Sequence, residues 1–167
     1  MSGASMVKVH SAHTLSKAVG GHGGIIVGDA ALVERLAALP TSGASSPSPL
    51  PAAAASAWAL AYLHDHPECR LRLRENVAHA RVALRRLGWE LEDSPVPILC
   101  LHAGNWRGGG LDLARLQREL FARDICVAHV TRYSSTPPGG ALRIAIFATH
   151  TSEQIARLAA ELGNLLA

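Results

Sequence analysis

Residues 13–28, HTLSKAVGGHGGIIVG, are where residue types and spacing point to chemistry. One lysine, Lys17, sits among the hydroxyls of Thr14 and Ser16 and the glycines at 20, 21, 23 and 24, just before the apolar run Ile25, Ile26, Val27. A lysine that captures an aldehyde needs a neutral amine, which partial desolvation or nearby cations favour. Hydroxyls and the backbone N–H groups of a glycine-rich turn can hold a phosphate, because glycine lets the backbone approach closely. By spacing alone the same residues also describe a solvated loop lysine beside glycine turns, since a lysine near several glycines is a weak motif.

Other chemistries find less support. His22, His79, His102, His129 and His150 show neither i, i+4 pairing nor a carboxylate triad, so no metal site is expected. No Gly-x-Ser-x-Gly or Cys–His–Asn arrangement points to a hydrolase. Arg143 falls in a strand pattern, where an arginine commonly points to solvent beside a carboxylate. The arginines at 70, 72, 74, 81, 85 and 86 read as the solvated face of one helix. Cys69, Cys100 and Cys126 are isolated and odd in number, which fits buried structural thiols in a reducing cytosol.

The elements that must position these residues alternate along the chain. Residues 6–10, with Val7 and Val9, are expected to form a short strand ending before the polar cluster, and residues 25–27 a second, buried strand bounded by Gly28. A helix is expected over 30–39, stopped by Pro40. The Pro- and Ser-rich segment 40–51 reads as a loop or linker without regular structure, and it is the expected boundary between two domains, 1–51 and 52–167. Helices follow from Ala52 and over 67–87, ended by Gly88. Then come a strand at 96–102, a helix at 111–123, strands at 125–131 and 141–147, and a last helix at 152–166 capped by Ser152 or Thr151.

With 167 residues, 49% hydrophobic and 17% charged, the chain is long enough to bury a core, built mostly of Ala and Leu because aromatics are only 4%. The net charge of +3 does not form a nucleic-acid surface, since the arginine-rich stretch lacks interleaved aromatics. No apolar run of about 18 residues or more points to a membrane span, and the first residues lack the apolar stretch of a signal peptide. A cytoplasmic protein is expected.

From about Val9 onward the chain resembles the α-oxoamine synthases, class II aminotransferase-like enzymes of fold-type I that use pyridoxal 5'-phosphate. The family's Thr-x-x-Lys looks like Thr14 to Lys17, and its Gly-Gly before a small apolar strand looks like Gly23, Gly24, Ile25 and Ile26. Its Ser/Thr and proline loop looks like 45–51, and its Leu-Arg-Ile strand followed by His-Thr looks like Leu142, Arg143, Ile144 and His150, Thr151. The resemblance implies α/β and α+β architecture: a remnant of the large α/β domain, then the C-terminal small domain, whose helices pack on a three-stranded, largely antiparallel sheet.

The same resemblance implies roles. Lys17 would hold the cofactor covalently and then serve as acid and base at the substrate's α-carbon. Thr14 would bind the cofactor's phosphate or phenolic side, and Ser46 and Ser48 would reach a phosphate across a dimer interface. Arg143 would take the substrate's α-carboxylate in its planar fork. The implied reaction condenses an amino acid with an acyl-CoA, and the implied assembly is a homodimer or a complex with a partner chain that completes the large domain. The family's phosphate-binding glycine turn, its ring-stacking histidine and its aspartate on the ring nitrogen find no match in residues 1–13. A truncated form, a non-catalytic interaction or regulatory module, and a class I/II aminotransferase are therefore alternatives. The strands left from the large domain would expose their edges.

Overall fold

In the computed structural model, residues 8–44, 49–132 and 136–167 are described. They divide into two compact units, Met1–His66 and Pro67–Ala167.

The first unit opens with a two-stranded antiparallel hairpin of β1 (Ser11–Thr14) and β2 (Gly24–Val27), with Ser11 opposite Val27 and Thr14 opposite Gly24. The strand thus lies one step beyond the expected 6–10: residues 8–10 are not in a strand, and β1 runs into the polar cluster. Pairing with β2 sets its place, and that register overrides the β-propensity of Val9. Helix α1 (Ala30–Ala37) is capped by Asp29, whose carboxylate accepts from the Leu32 N–H at 2.9 Å and pairs with Lys8 Nζ at 2.8 Å. The Lys8 hydrogen bond and the Leu32 N–H hold the Asp29 carboxyl below its ordinary value.

Residues Pro40–Ala44 form a helical turn, α2, rather than a loop, because a proline at a first helical position lacks only an N–H that the helix does not use. Helix α3 (Leu50–Asp65) lies within the first compact unit, which ends at His66. Within that unit Ser56 of α3 lies so close to Gly21 that a Cβ there would overlap its Oγ, and Ser56 donates to the Ala52 carbonyl at 2.8 Å.

Among the described residues of this unit only Ser56 is buried. Ile26 and Val27, expected in a buried strand, are each 51% exposed, because among the described residues no second layer covers the hairpin. The apolar helix α3 likewise exposes Trp58, Leu60 and Tyr62, with the Trp58 and Tyr62 rings stacked at 5.1 Å. A helix that is apolar around its circumference is usually surrounded by protein.

The second unit has a real core. Its elements are α4 (Pro67–Arg86), β3 (Ile98–Leu101), a 3₁₀ turn (Ala103–Asn105), α5 (Leu113–Phe121), β4 (Ala128–Val130), β5 (Ala141–Ala145) and α6 (Ser152–Leu166). The sheet order is β3-β5-β4 with both pairings antiparallel, as expected. Leu99, Leu101, Leu142 and Ile144 turn one sheet face into a cluster with Val77 and Leu84 of α4, Leu116 and Leu120 of α5, and Ile155 and Leu162 of α6. Period 2 on the strands and 3.6 on the helices places these residues inward. Gly88 ends α4 at φ 107°, a conformation that side-chain-bearing residues rarely adopt.

Not all the α4 arginines are solvated. Arg81 is 6% exposed and its guanidinium donates to the Glu92 carbonyl at 2.7 Å and the Val96 carbonyl at 3.2 Å. Arg85 adds two bonds to the Leu91 carbonyl. The segment from α4 to β3 has no partner strand over much of its length, and these guanidinium groups satisfy three of its carbonyls, those of Leu91, Glu92 and Val96. Nor are the thiols buried: Cys100 and Cys126 are exposed and Cys69 is half-buried.

Candidate active site

Lys17 sits in the loop joining β1 to β2. Three backbone hydrogen bonds close that loop: Leu15 N–H to Gly23 O at 3.0 Å, Gly21 N–H to Leu15 O at 2.8 Å, and Gly20 N–H to Lys17 O at 2.9 Å. The lysine position is therefore held by its own backbone and its side chain is exposed, free of ion pairs with described residues. At the end of β1, Thr14 Oγ1 and Ser16 Oγ share a hydrogen bond at 2.8 Å, and the Ser16 N–H donates to Thr14 Oγ1 at 3.3 Å. Two hydroxyls and one amine thus lie within four successive residues. Such a set fits the attachment end of an aldehyde-bearing phosphate cofactor: a primary amine for the aldehyde, hydroxyl donors for the anion.

Arg143 belongs to the second unit. It is exposed at the centre of β5, opposite Cys100 of β3 and Ala128 of β4. Alternation along β5 buries Leu142 and Ile144 and leaves Arg143 on the open face of the sheet. It makes no hydrogen bond or ion pair with any described residue, although carboxylates elsewhere in the unit are paired, such as Glu119 and Glu161 with Arg123. The Arg123 hydrogen bond, then its charge, holds the Glu119 carboxyl below its ordinary value. A guanidinium left unpaired on an open strand is available to a ligand's carboxylate.

The turn after β5 is fixed from three sides. Asn76 of α4 donates to the carbonyls of Phe147 at 2.9 Å and His150 at 2.8 Å. His150 Nδ1 accepts from the Phe147 N–H at 3.2 Å, and its ring meets Phe147 edge-on. Thr151, one of the two expected caps, starts α6 through a capping box with Gln154. Ser46 and Ser48 lie outside the described residues.

Nothing in the sequence pointed to Asn76, and Arg81 read as one of a solvated row. Ser16 was legible as a hydroxyl within the lysine motif, whereas Asn76 and Arg81 act through contacts many residues away and leave no local signal. Among the described residues no helix is long and apolar enough to cross a membrane, and no group of three or more His, Cys, Asp or Glu is placed to hold a metal ion.

The model of the family "Aminotransferase class I and II" matches residues 2–162. An 8-amino-7-oxononanoate synthase of Xylella fastidiosa strain M12 is 35% identical over 153 residues, 85% of this chain and 35% of the relative. The chain thus spans about a third of the length of the curated relatives it matches. The 8-amino-7-oxononanoate synthase of Francisella tularensis superposes with a TM-score of 0.72 at 24% identity, covering 92% of this chain and 44% of that one. The serine palmitoyltransferase of Sphingomonas wittichii gives 0.77 at 20% identity over 95% and 41%. The chain belongs to the aminotransferase class I and II family, and the fold it carries in part is that of the α-oxoamine synthases.

Proposed function

We propose that this chain contributes the lysine and the carboxylate-binding half of a pyridoxal-phosphate-dependent acyltransferase of the α-oxoamine synthase type, which condenses an amino acid with an acyl-CoA. The observation that carries the reading is Lys17, exposed on a loop closed by its own backbone, with the paired Thr14 and Ser16 hydroxyls beside it. Pyridoxal phosphate, when bound, supplies an electron sink for the pair left at the α-carbon. Lys17 Nζ would hold the cofactor through its aldehyde and would take and return the proton at the substrate's α-carbon. Thr14 Oγ1 would donate to the cofactor's oxygens, and Arg143 would take a carboxylate with two parallel N–H bonds. Ser46 and Ser48 are assigned to the phosphate across a subunit interface by the family resemblance alone.

A homodimer, or a partner chain that completes the large domain, and a cytoplasmic location belong to the same reading. The exposed Ile26, Val27 and Trp58 favour a covering partner, since apolar surface of this kind is stabilised by association. The same exposure favours a second reading, a non-catalytic module whose first unit serves as an interaction surface. Reduction with borohydride after incubation with pyridoxal phosphate, followed by peptide mass spectrometry, separates the two. A label confined to Lys17 is the expected result; no label, or equal labelling of exposed lysines, rejects the enzymatic reading for this chain.

A further inference from the structure

The loop that carries Lys17 meets α3 at Gly21. A Cβ at Gly21 would overlap Ser56 Oγ and stand 3.0 Å from Ser56 Cβ and 3.2 Å from the Ala52 carbonyl oxygen. Ala52 and Ser56 lie one turn apart on the same face of α3, and Ser56 is only 4% exposed there. Its hydroxyl donates to the Ala52 carbonyl at 2.8 Å, so it is turned back along the helix and needs no partner in the loop. What Ser56 offers Gly21 is therefore shape, a small side chain against a residue that has none.

Gly21 also closes the loop. Its N–H donates to the Leu15 carbonyl at 2.8 Å, and the Leu15 N–H donates to the Gly23 carbonyl at 3.0 Å. Lys17 lies inside the ring that the Leu15–Gly21 bond closes, so what displaces Gly21 displaces the lysine. Gly21 does not have a positive φ, so a side chain there is barred by α3 and not by backbone strain. We propose that the Gly21–Ser56 contact seats the lysine loop on α3, and that Ser56 is a positioning residue for Lys17. A larger side chain on either side lifts the loop from the helix and opens the Leu15–Gly21 bond. The inference rests on the reading that Lys17 captures the cofactor, but the seat itself is a property of the backbone and is measured without cofactor.

The test uses the full chain and two measurements. Amide exchange at Leu15 and Gly21 is followed by NMR, and pyridoxal phosphate trapped by borohydride on Lys17 is compared with that on Lys8, the chain's other lysine. Overpacking by Gly21→Ala is expected to speed both amides about tenfold and to lower the Lys17 label about tenfold, with the Lys8 label and helical circular dichroism unchanged. Ser56→Leu is expected to do the same from the helix side, and Ser56→Ala, which removes only the hydroxyl, to do neither. Combining Gly21→Ala with Ser56→Gly makes room for the added Cβ and is expected to restore both readings, a recovery that general destabilisation would not give. Unprotected amides in the unaltered chain, protected amides in Gly21→Ala, or a double variant as defective as the single one overturns the proposal. Opened amides with an unchanged Lys17 label overturn it as well, since the lysine would then be indifferent to the seat. An unaltered chain that captures no cofactor rejects the enzymatic reading alone, and the amide exchange then decides the seat.

Discussion

Arg143 lies directly opposite Cys100 across the β5–β3 pairing, and both are exposed on the open face of the sheet while Leu142 and Ile144 close the core behind them. The arginine can therefore change without disturbing packing. Replacing it with Gln is expected to weaken amino-acid binding by the cofactor-loaded protein about 10- to 100-fold, the range for one charged hydrogen-bond set. Arg143→Lys restores only part, because an ammonium lacks the planar fork. Spectral titration with amino acid checks the first effect, and an unchanged melting temperature checks that the fold is intact.

Thr14 tests the other end of the site. Thr14→Val keeps the β-branched shape but removes the hydroxyl that meets Ser16, and cofactor capture at Lys17 is expected to weaken about tenfold. Quantifying the borohydride-trapped peptide over a range of cofactor concentrations measures it; an unchanged half-saturation would remove Thr14 from the site.

Arg81 and Arg85 lie one turn apart on α4 yet are expected to behave differently. Arg81→Met strips two carbonyls of a buried charged donor and should cost about 3 kcal/mol of stability. Arg85→Met, at an exposed position, should cost less than about 1 kcal/mol. Urea denaturation followed by tryptophan emission from buried Trp89 reads both.

Leu120 and Ile26 make a similar contrast between the units. Leu120 is 0% exposed, and Leu120→Ala should lose about 2–5 kcal/mol through the cavity it leaves. Ile26→Ser, at a position 51% exposed, should leave thermal stability unchanged and reduce self-association in sedimentation. Equal losses of stability would place Ile26 in a core.

Acid sensitivity follows from Glu119. Its folded-state pKa lies below the unfolded value because of Arg123, so the stabilisation is complete above the unfolded value and is lost as pH falls through the lowered one. Glu119→Gln is expected to flatten the acid limb of the stability curve below the usual glutamate range while leaving neutral pH nearly unaffected. A carboxyl resonance titration of the unmodified chain checks the direction.

Much of the second unit was legible in the sequence. Leu142, Ile144 and Ile146 alternate with outward residues, and Leu116, Leu120, Ile155, Leu158 and Leu162 recur at helical spacing, so one buried face per element followed from local periodicity. Gly88 and Thr151 marked helix ends for equally local reasons. The lysine motif was legible as residue types, with Lys17 and Thr14 spaced by three.

Tertiary structure alone decided the rest. Whether residues 25–27 are buried depends on a second layer, which no local pattern encodes, and among the described residues none covers the hairpin. Arg81 looked like its solvated neighbours on α4 because burial of a long cationic side chain depends on the carbonyls of Glu92 and Val96 folding back over it. Arg143 was a strand arginine in the sequence; its lack of a partner among the described residues and its place beside a cavity come from where β4 stops pairing with β5, a register set by contacts distant along the chain.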